Sequence, residues 1–424
     1  MDISDYILTL EQRAKAAAAA LNISSHEARV RLLLDLAART RAAEGDILAA
    51  NAADLANAAE NGVRAQMLDR LRLSRDRIFA MADAVEATAA LPDPLCGDKT
   101  WTRPSGITIT EERVPLGLVA VIYEARPNVT LDVAALCIKS GNGAILRCGK
   151  EAIESAKAIC RVIGEALAAA GFDPACVSLI ERTERQGADA LMQIRGYVDV
   201  LIPRGGKGLI SRVVENAKVP VIETGAGNCH IYVEKSADLD TALAVIVNAK
   251  TQRPSVCNAA ESLLCDRAIA KTFLPRLEET LTPLGVEIRA DQNCIDCFHG
   301  AVLATEEDHF TEYNDLILSV KVVENVKEAV EHINIHGTKH SEAILTTDSA
   351  AADLFCKAVD AACVYVNTST RFTDGGEFGY GAEIGISTQK LHARGPMGLR
   401  ALTTVRYKIT SDGAVRKSTD KESK

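Results

Sequence analysis

The chain has 424 residues, 47% of them hydrophobic, and a formal net charge of −9. That is enough apolar material to bury a large core, in two or three domains, and the acidic balance argues against nucleic acid as a partner. No apolar run reaches the ~18 residues a membrane span needs, the N-terminus lacks the charged-then-apolar pattern of a secretion signal, and 12 cysteines without dense spacing fit a reducing compartment. The expectation is a cytoplasmic protein.

Over the first ~90 residues the pattern is helical. Ile7, Leu10, Ala14, Ala17 and Leu21 recur at intervals of three and four, as one apolar face of a helix does. Ser24-Ser-His-Glu27 is a capping-box pattern ahead of Leu32, Leu33 and Leu36. Asn61-Gly62 reads as a helix end, and Leu91-Pro-Asp-Pro94 breaks the run. The alanine density imitates a coiled coil, but the repeat is interrupted too often for one. Gly106–Arg113 then alternates polar and apolar residues, the mark of an exposed antiparallel strand.

From Gly117 the period changes. Short apolar stretches at Gly117–Tyr123, Ala144–Cys148, Val177–Ile180, Val198–Ile202 and Val219–Ile222 alternate with helices of crossover length. This predicts a parallel, doubly wound sheet, of the kind that binds nucleotides at the carboxyl ends of its strands. After Gly227 the alternation restarts with strands Ile231–Val233, Ser262–Cys265, Val286–Ala290, Leu316–Val323, Ala343–Thr346 and Cys363–Asn367, separated by helices such as Leu239–Ala249, Ala268–Leu281 and Val326–Asn334. A second α/β domain follows from that. The polar, glycine-rich Arg371–Gly385 and a strand at Ala401–Ile409 come next, and the charged residues 413–424 read as disordered.

The stretch Asn248-Ala-Lys-Thr-Gln-Arg-Pro-Ser-Val-Cys257-Asn-Ala-Ala-Glu-Ser-Leu-Leu264 stands out. It reads as a helix end, a turn stiffened by Pro254, and a second helix opened by Cys257. A cysteine in a first helical turn meets unpaired N–H groups and the positive end of the dipole, which favour the thiolate. The competing reading is a buried structural thiol. The segment Arg253-Pro-Ser-Val-Cys-Asn-Ala-Ala-Glu-Ser-Leu-Leu264 resembles the nucleophile segment of the gamma-glutamyl phosphate reductases, a family in the aldehyde dehydrogenase superfamily.

Further segments carry the same resemblance, from Val114 to Leu399. In Tyr123-Glu-Ala-Arg-Pro-Asn128, the alternative to a helix cap is that the Asn128 amide meets the substrate carbonyl oxygen. Together with the Cys257 N–H it would form an oxyanion hole. Lys139–Lys150 is similar to the adenosine-ribose segment, with Cys148 where relatives often carry Gly. There Arg147 and Lys150 imply NADP(H) through its 2′-phosphate, against the alternative of two solvated cations. Pro203-Arg-Gly-Gly-Lys-Gly208 implies pyrophosphate contacts at Gly205 and Gly206, where a helix begins. Glu312 matches the residue that holds the nicotinamide ribose, although Tyr-Asn-Asp follows it in place of an aromatic-Gly pair. Glu223 matches a water-activating base of hydrolytic relatives, which a reductase does not need, and it stays outside the catalytic set. Cys294-Ile-Asp-Cys297 has half a metal-site spacing and no second pair nearby, so no metal is expected.

The resemblance implies the aldehyde dehydrogenase-like fold, with two doubly wound parallel-sheet domains and a small β oligomerisation element. The cofactor domain would take 1–100 and 116–229, with part of 366–399. The catalytic domain would be 230–365 and the oligomerisation strands 101–115 and 400–412. The implied reaction is the NADPH-dependent reduction of L-glutamyl 5-phosphate to L-glutamate 5-semialdehyde in proline biosynthesis, through a thioester on Cys257. Other implications are a homo-oligomer, hand-over of the labile acyl phosphate from glutamate 5-kinase, and no nucleic-acid or membrane partner. By proximity, Arg253, Glu124 and Arg126 are candidates for holding the substrate's charged groups. The rival readings are another acyl-phosphate or acyl-CoA reductase or an oxidising aldehyde dehydrogenase on the same fold, and a non-catalytic NADP-binding or scaffold protein.

Overall fold

A computed structural model describes residues 2–62 and 65–416. Of the tail expected to be disordered, residues 417–424 lie outside the described residues. The chain forms two compact units, one of residues 1–202, 216–221 and 398–424 and the other of 203–215 and 222–397. The sequence expectation places the boundary at 229/230 and gives part of 366–399 to the first domain; by contacts, residues up to 397 group with the second.

The first unit opens with helices Ile3–Asn22, His26–Ala42, Glu44–Glu60, Ala65–Leu71 and Arg75–Ala90. Asp2, Ser25 and Ser74 cap three of them by accepting a backbone N–H inside the first turn. The cap of the second helix is thus Ser25, one residue later than the capping box predicted, because the Ser24 hydroxyl instead donates to the Leu21 carbonyl at 2.7 Å. Asn61 and Gly62 end the third helix as expected, Gly62 with φ +68°.

Its main sheet has four strands, in the order Val177–Leu179, Gly143–Arg147, Leu118–Tyr123, Val200–Arg204. By chain order that is 3-2-1-4, so the winding reverses beside Leu118–Tyr123, where open α/β sheets bind their ligands. The fifth predicted strand, Val219–Ile222, is a single bridge from Val221 to Leu201. Pro220 lacks the N–H a continuing ladder needs. A separate antiparallel sheet pairs Thr108–Pro115 with Lys99–Thr102 and Thr403–Thr410.

The second unit is built on seven strands, each pairing parallel, in the order Val302–Leu303, Glu287–Ala290, Ile317–Val323, Ala260–Asp266, Cys229–Val233, Ser341–Leu345, Cys363–Val366. Alternation along the strands feeds two cores. Ile231, Val233, Leu263 and Cys265 pack with Phe273 and Leu274, whereas Tyr232 and Leu264 pack with Phe355 and Ile333. Helices therefore cover both faces, as a doubly wound sheet requires. Among the described residues no helix is long and apolar enough to cross a membrane.

Candidate active site

The helix Leu239–Thr251 ends ahead of Cys257, and the strand Ala260–Asp266 begins three residues beyond it. No helix starts at Cys257, contrary to the sequence expectation. The residue lies in a turn, closed by the Ala259 N–H donating to the Val256 carbonyl at 3.0 Å. The strand starts too soon to leave room for a helix. The dipole argument for a thiolate therefore lapses, and Cys257, half-buried, depends on what surrounds the loop.

The base of the loop is tied by a wholly buried ion pair. Lys250 donates to Glu261 Oε2 at 2.5 Å and to the Ala260 carbonyl at 2.8 Å, joining the helix end to the strand start. Burial lowers the ammonium's pKa and raises the carboxyl's, and each partner's charge opposes the shift of the other. Glu261 Oε1 also accepts the Asn314 N–H at 3.0 Å. Neither residue entered the predicted site, since a lysine and a glutamate in a helix–strand junction carry no local signal.

The back of the loop is fixed through its own backbone. A Cβ on Gly227 would lie 1.4 Å from the Cys257 carbonyl oxygen, so only glycine admits this approach. The Gly227 N–H donates to Glu312 Oε1 at 2.7 Å, and the Cys229 thiol donates to the Cys257 carbonyl at 3.1 Å. Burial raises the Cys229 thiol well above its ordinary range, which keeps it protonated as a donor. Glu312, expected beside a ribose, thus braces the strand behind the Cys257 loop. These residues gather at the amino-terminal ends of the second unit's strands, the opposite edge from the one nucleotides favour.

The front of the loop is held by the segment Ser369–Asp374. Arg371 donates through Nε to Gln252 Oε1 at 2.9 Å and through Nη1 to Asn258 Oδ1. Asn258 Nδ2 donates to the Thr373 carbonyl at 2.9 Å, and the Thr370 hydroxyl donates to the Asn258 carbonyl at 2.7 Å. Arg253 is exposed on the same loop as Cys257. Sequence reasoning saw Arg371 only as the start of a polar loop, because the partners that define it are remote in the chain.

In the first unit, Asn128 is the second residue of the helix Pro127–Lys139, whose cap position is Arg126. Its amide donates to Asp132 Oδ2 at 2.9 Å, so the helix-cap alternative for Asn128 does not hold. The helix follows the buried strand Leu118–Tyr123 at the reversal of winding, and the Tyr123 and Thr130 hydroxyls lock the turn at 2.6 Å. Glu124 is exposed and Arg126 half-buried in the same turn, where the Arg126 N–H donates to the Glu124 carbonyl at 2.6 Å.

Arg147 ends the strand Gly143–Arg147. Its Nη2 donates to the Thr183 carbonyl at 3.1 Å, and its Nε is buried without a partner among the described residues. Lys150 is exposed three residues on and opens the short helix Lys150–Ala152. An orphaned guanidinium N–H beside an exposed ammonium fits an anionic group such as a nucleotide phosphate. Between them Cys148 is buried, its thiol pushed up to about 12 by burial. Gly205 and Gly206 are exposed between the strand Val200–Arg204 and the helix Lys207–Asn216, with Gly206 as the first carbonyl acceptor of that helix. The first-turn amides of such a helix suit a pyrophosphate. Cys294 packs into the second unit's core, and no group of three His, Cys, Asp or Glu among the described residues has metal-holding geometry.

The fold and the cysteine loop define a class, that of the aldehyde dehydrogenases, and the family model described as "Aldehyde dehydrogenase family" matches residues 9–314. The chain belongs to this family, whose members use nicotinamide cofactors, and within it to the gamma-glutamyl phosphate reductases, which are oxidoreductases. The gamma-glutamyl phosphate reductase of Desulfitobacterium hafniense (strain Y51) is 52% identical over 409 residues, covering 96% of this chain and 98% of the relative. That of Enterococcus faecalis is 51% identical over 417 residues, covering 98% and 100%. The crystal structure of the Thermotoga maritima gamma-glutamyl phosphate reductase superposes with a TM-score of 0.95 at 46% identity, covering 97% of this chain and 100% of that one. A Geobacillus thermoglucosidasius acetylating aldehyde dehydrogenase, 18% identical with a TM-score of 0.70, shares the fold.

Proposed function

We propose that the protein reduces L-glutamyl 5-phosphate to L-glutamate 5-semialdehyde and phosphate with NADPH, the second step of proline biosynthesis, in the cytoplasm. The observation that carries this reading is 52% identity to a gamma-glutamyl phosphate reductase across 96% of the chain. In the reaction the Cys257 thiolate attacks the acyl carbon and the C–O bond to phosphate breaks, leaving a thioester. The Cys257 N–H would hold the oxyanion that forms, and the Asn128 amide is assigned to it by resemblance. Bound NADPH supplies a hydride to the thioester carbonyl. The resulting alkoxide collapses, expelling the Cys257 thiolate and releasing the aldehyde. Phosphate leaves readily, so the acylation of Cys257 requires no strong general acid.

Arg147 and Lys150 would hold the 2′-phosphate of the cofactor, and the amides after Gly205 and Gly206 its pyrophosphate. Glu312 is assigned to the nicotinamide ribose by resemblance. A charge-assisted phosphate contact is worth ~1.5–3 kcal/mol, or roughly tenfold to a hundredfold in affinity for NADP over NAD. Arg253, Glu124 and Arg126 are the candidates for the substrate's own charges. The strands within 101–115 and 400–412 would form a homo-oligomer, and glutamate 5-kinase would hand over the acyl phosphate. The test runs the reaction backwards: glutamate 5-semialdehyde should reduce NADP only when phosphate is present. Reduction that needs coenzyme A in place of phosphate, or that proceeds with neither, would replace this reading with one of its rivals.

A further inference from the structure

With no helix behind Cys257, the positive charge that a nucleophilic thiolate requires has to come from a side chain. Lys250, bonded to Glu261, lies in the last turn of the helix before the nucleophile's loop, and Arg253, which is exposed, stands on the loop itself. Across from it stand Arg371 and Asp374, and the latter, exposed, accepts the N–H groups of Gly376 and Glu377. Behind it, Glu312 accepts from Gly227, Cys229 is protonated, His340 is kept neutral by burial, and Glu342 accepts from His230. The lysine's charge is already answered by a carboxylate, and Arg253 is screened by solvent. Arg371 is half-buried and not paired with any carboxylate among the described residues.

We infer that Arg371 is the cation that holds the negative charge of the Cys257 thiolate, fixed for that task by the loop it serves. Its Nε grips Gln252 and its Nη1 grips Asn258, residues on either side of Cys257. The guanidinium therefore spans the loop, and its Nη2 keeps no hydrogen bond to the described residues. Burial, and then the like charge of Arg253, pull this guanidinium below the usual arginine range, while the charge of Cys257 acts in the opposite sense. The bonds to Gln252 and to Asn258, the residue next to Cys257, bring the guanidinium against the nucleophile's loop. The inference rests on Cys257 being the nucleophile, and not on which acyl phosphate is reduced.

The experiment is the pH profile of iodoacetamide alkylation at Cys257 in the full-length protein, read by mass spectrometry of its peptide. In Arg371→Gln the profile should move up by about one pH unit, so that the rate at neutral pH falls roughly tenfold as the thiolate fraction drops. Arg371→Lys keeps the charge and should move less than half as far. Gln252→Ala, an exposed change that frees one anchor, should give a small upward shift. An Arg371→Gln profile that superimposes on the native one would overturn the inference even if kcat fell, since Arg371 would then be a mechanical brace only. Where Arg371→Gln fails to fold, an unmoved Gln252→Ala profile does the same. The reverse-reaction assay with phosphate reports separately on the substrate, so either idea can fail alone.

Discussion

Lys139 in the first unit and Lys250 in the second are both wholly buried, and they are used differently. Lys139 gives its ammonium to the Ala89 carbonyl at 2.7 Å, in the last turn of the helix Arg75–Ala90. Its own carbonyl accepts Arg29 Nε at 3.1 Å, and Arg29 continues to the Ser24 carbonyl and to Asp93. This is a socket in which cations satisfy carbonyls that helix ends leave unpaired. Lys250 is instead bonded to a carboxylate, and the bond spans the base of the loop that carries Cys257. One arrangement fixes how helices pack, and the other fixes where a thiol sits. Disturbing the first should change stability alone, and disturbing the second should change rate as well.

Cys257→Ser takes the second case to its extreme. A serine hydroxyl is scarcely ionised near neutral pH, so turnover should fall at least about a thousandfold, because removing a catalytic nucleophile costs that much or more. Stability should stay within ~0.5 kcal/mol, as for most changes outside a core. Equilibrium binding of NADPH should be unaffected. A serine variant that retains a tenth of native kcat would mean that another group carries the acyl intermediate.

Lys250→Met leaves Glu261 buried without its counter-charge, which typically costs 3–5 kcal/mol. The double variant Lys250→Met with Glu261→Gln should regain most of that in urea denaturation, because no lone charge remains. Its kcat should stay low, since the loop base is no longer tied. Recovery of kcat together with stability would mean the pair does not set the loop's geometry, and the contrast drawn with Lys139 would collapse.

In the first unit the matching change is Asp93→Asn, which removes the carboxylate from Arg29. A hydrogen bond to a charged group contributes ~1.5–3 kcal/mol, so the thermal midpoint should drop. Both kcat and KM should be unchanged when assayed well below it. A selective loss of kcat would show that this socket is not merely structural.

The same contrast explains what could be read ahead of the structure. Periodicity located the longer strands of both main sheets, because burial of alternating faces is written into local sequence, as at Ile231, Tyr232 and Val233. It failed at Val219–Ile222, where a proline overrides apolar character, and at Cys257, where the strand's early start leaves no turn of helix. Arg147 and Lys150 could be singled out as cofactor candidates because they flank one strand end. Arg371, Gly227 and the Lys250–Glu261 pair could not be singled out, since each acquires its role from a partner that only the fold brings near. Leu91-Pro-Asp-Pro94 was seen as a helix break, but Asp93's service to Arg29 was invisible for the same reason.

Glu11 offers the smallest effect and the sharpest contrast with Glu261. It lies on the helix Ile3–Asn22, wholly buried, and both of its carboxyl oxygens lack partners among the described residues. No lysine answers it as Lys250 answers Glu261, and burial raises its pKa to about 8. Unfolding returns the group to an ordinary value near 4.5, so between these values the folded state holds a proton that the unfolded state has lost. Stability must then fall as pH rises from about 4.5 to about 8, and level off above that. Glu11→Met keeps the shape and removes the titration. The variant should be more stable than the native protein by ~1–3 kcal/mol at pH 8.5, the range for an unsatisfied buried polar group, with the advantage shrinking steadily toward pH 5. Urea midpoints at three pH values would measure it. A gain that is the same at every pH would mean the carboxyl does not titrate across this window, and that Glu11, like Glu261, has its charge answered in the folded protein.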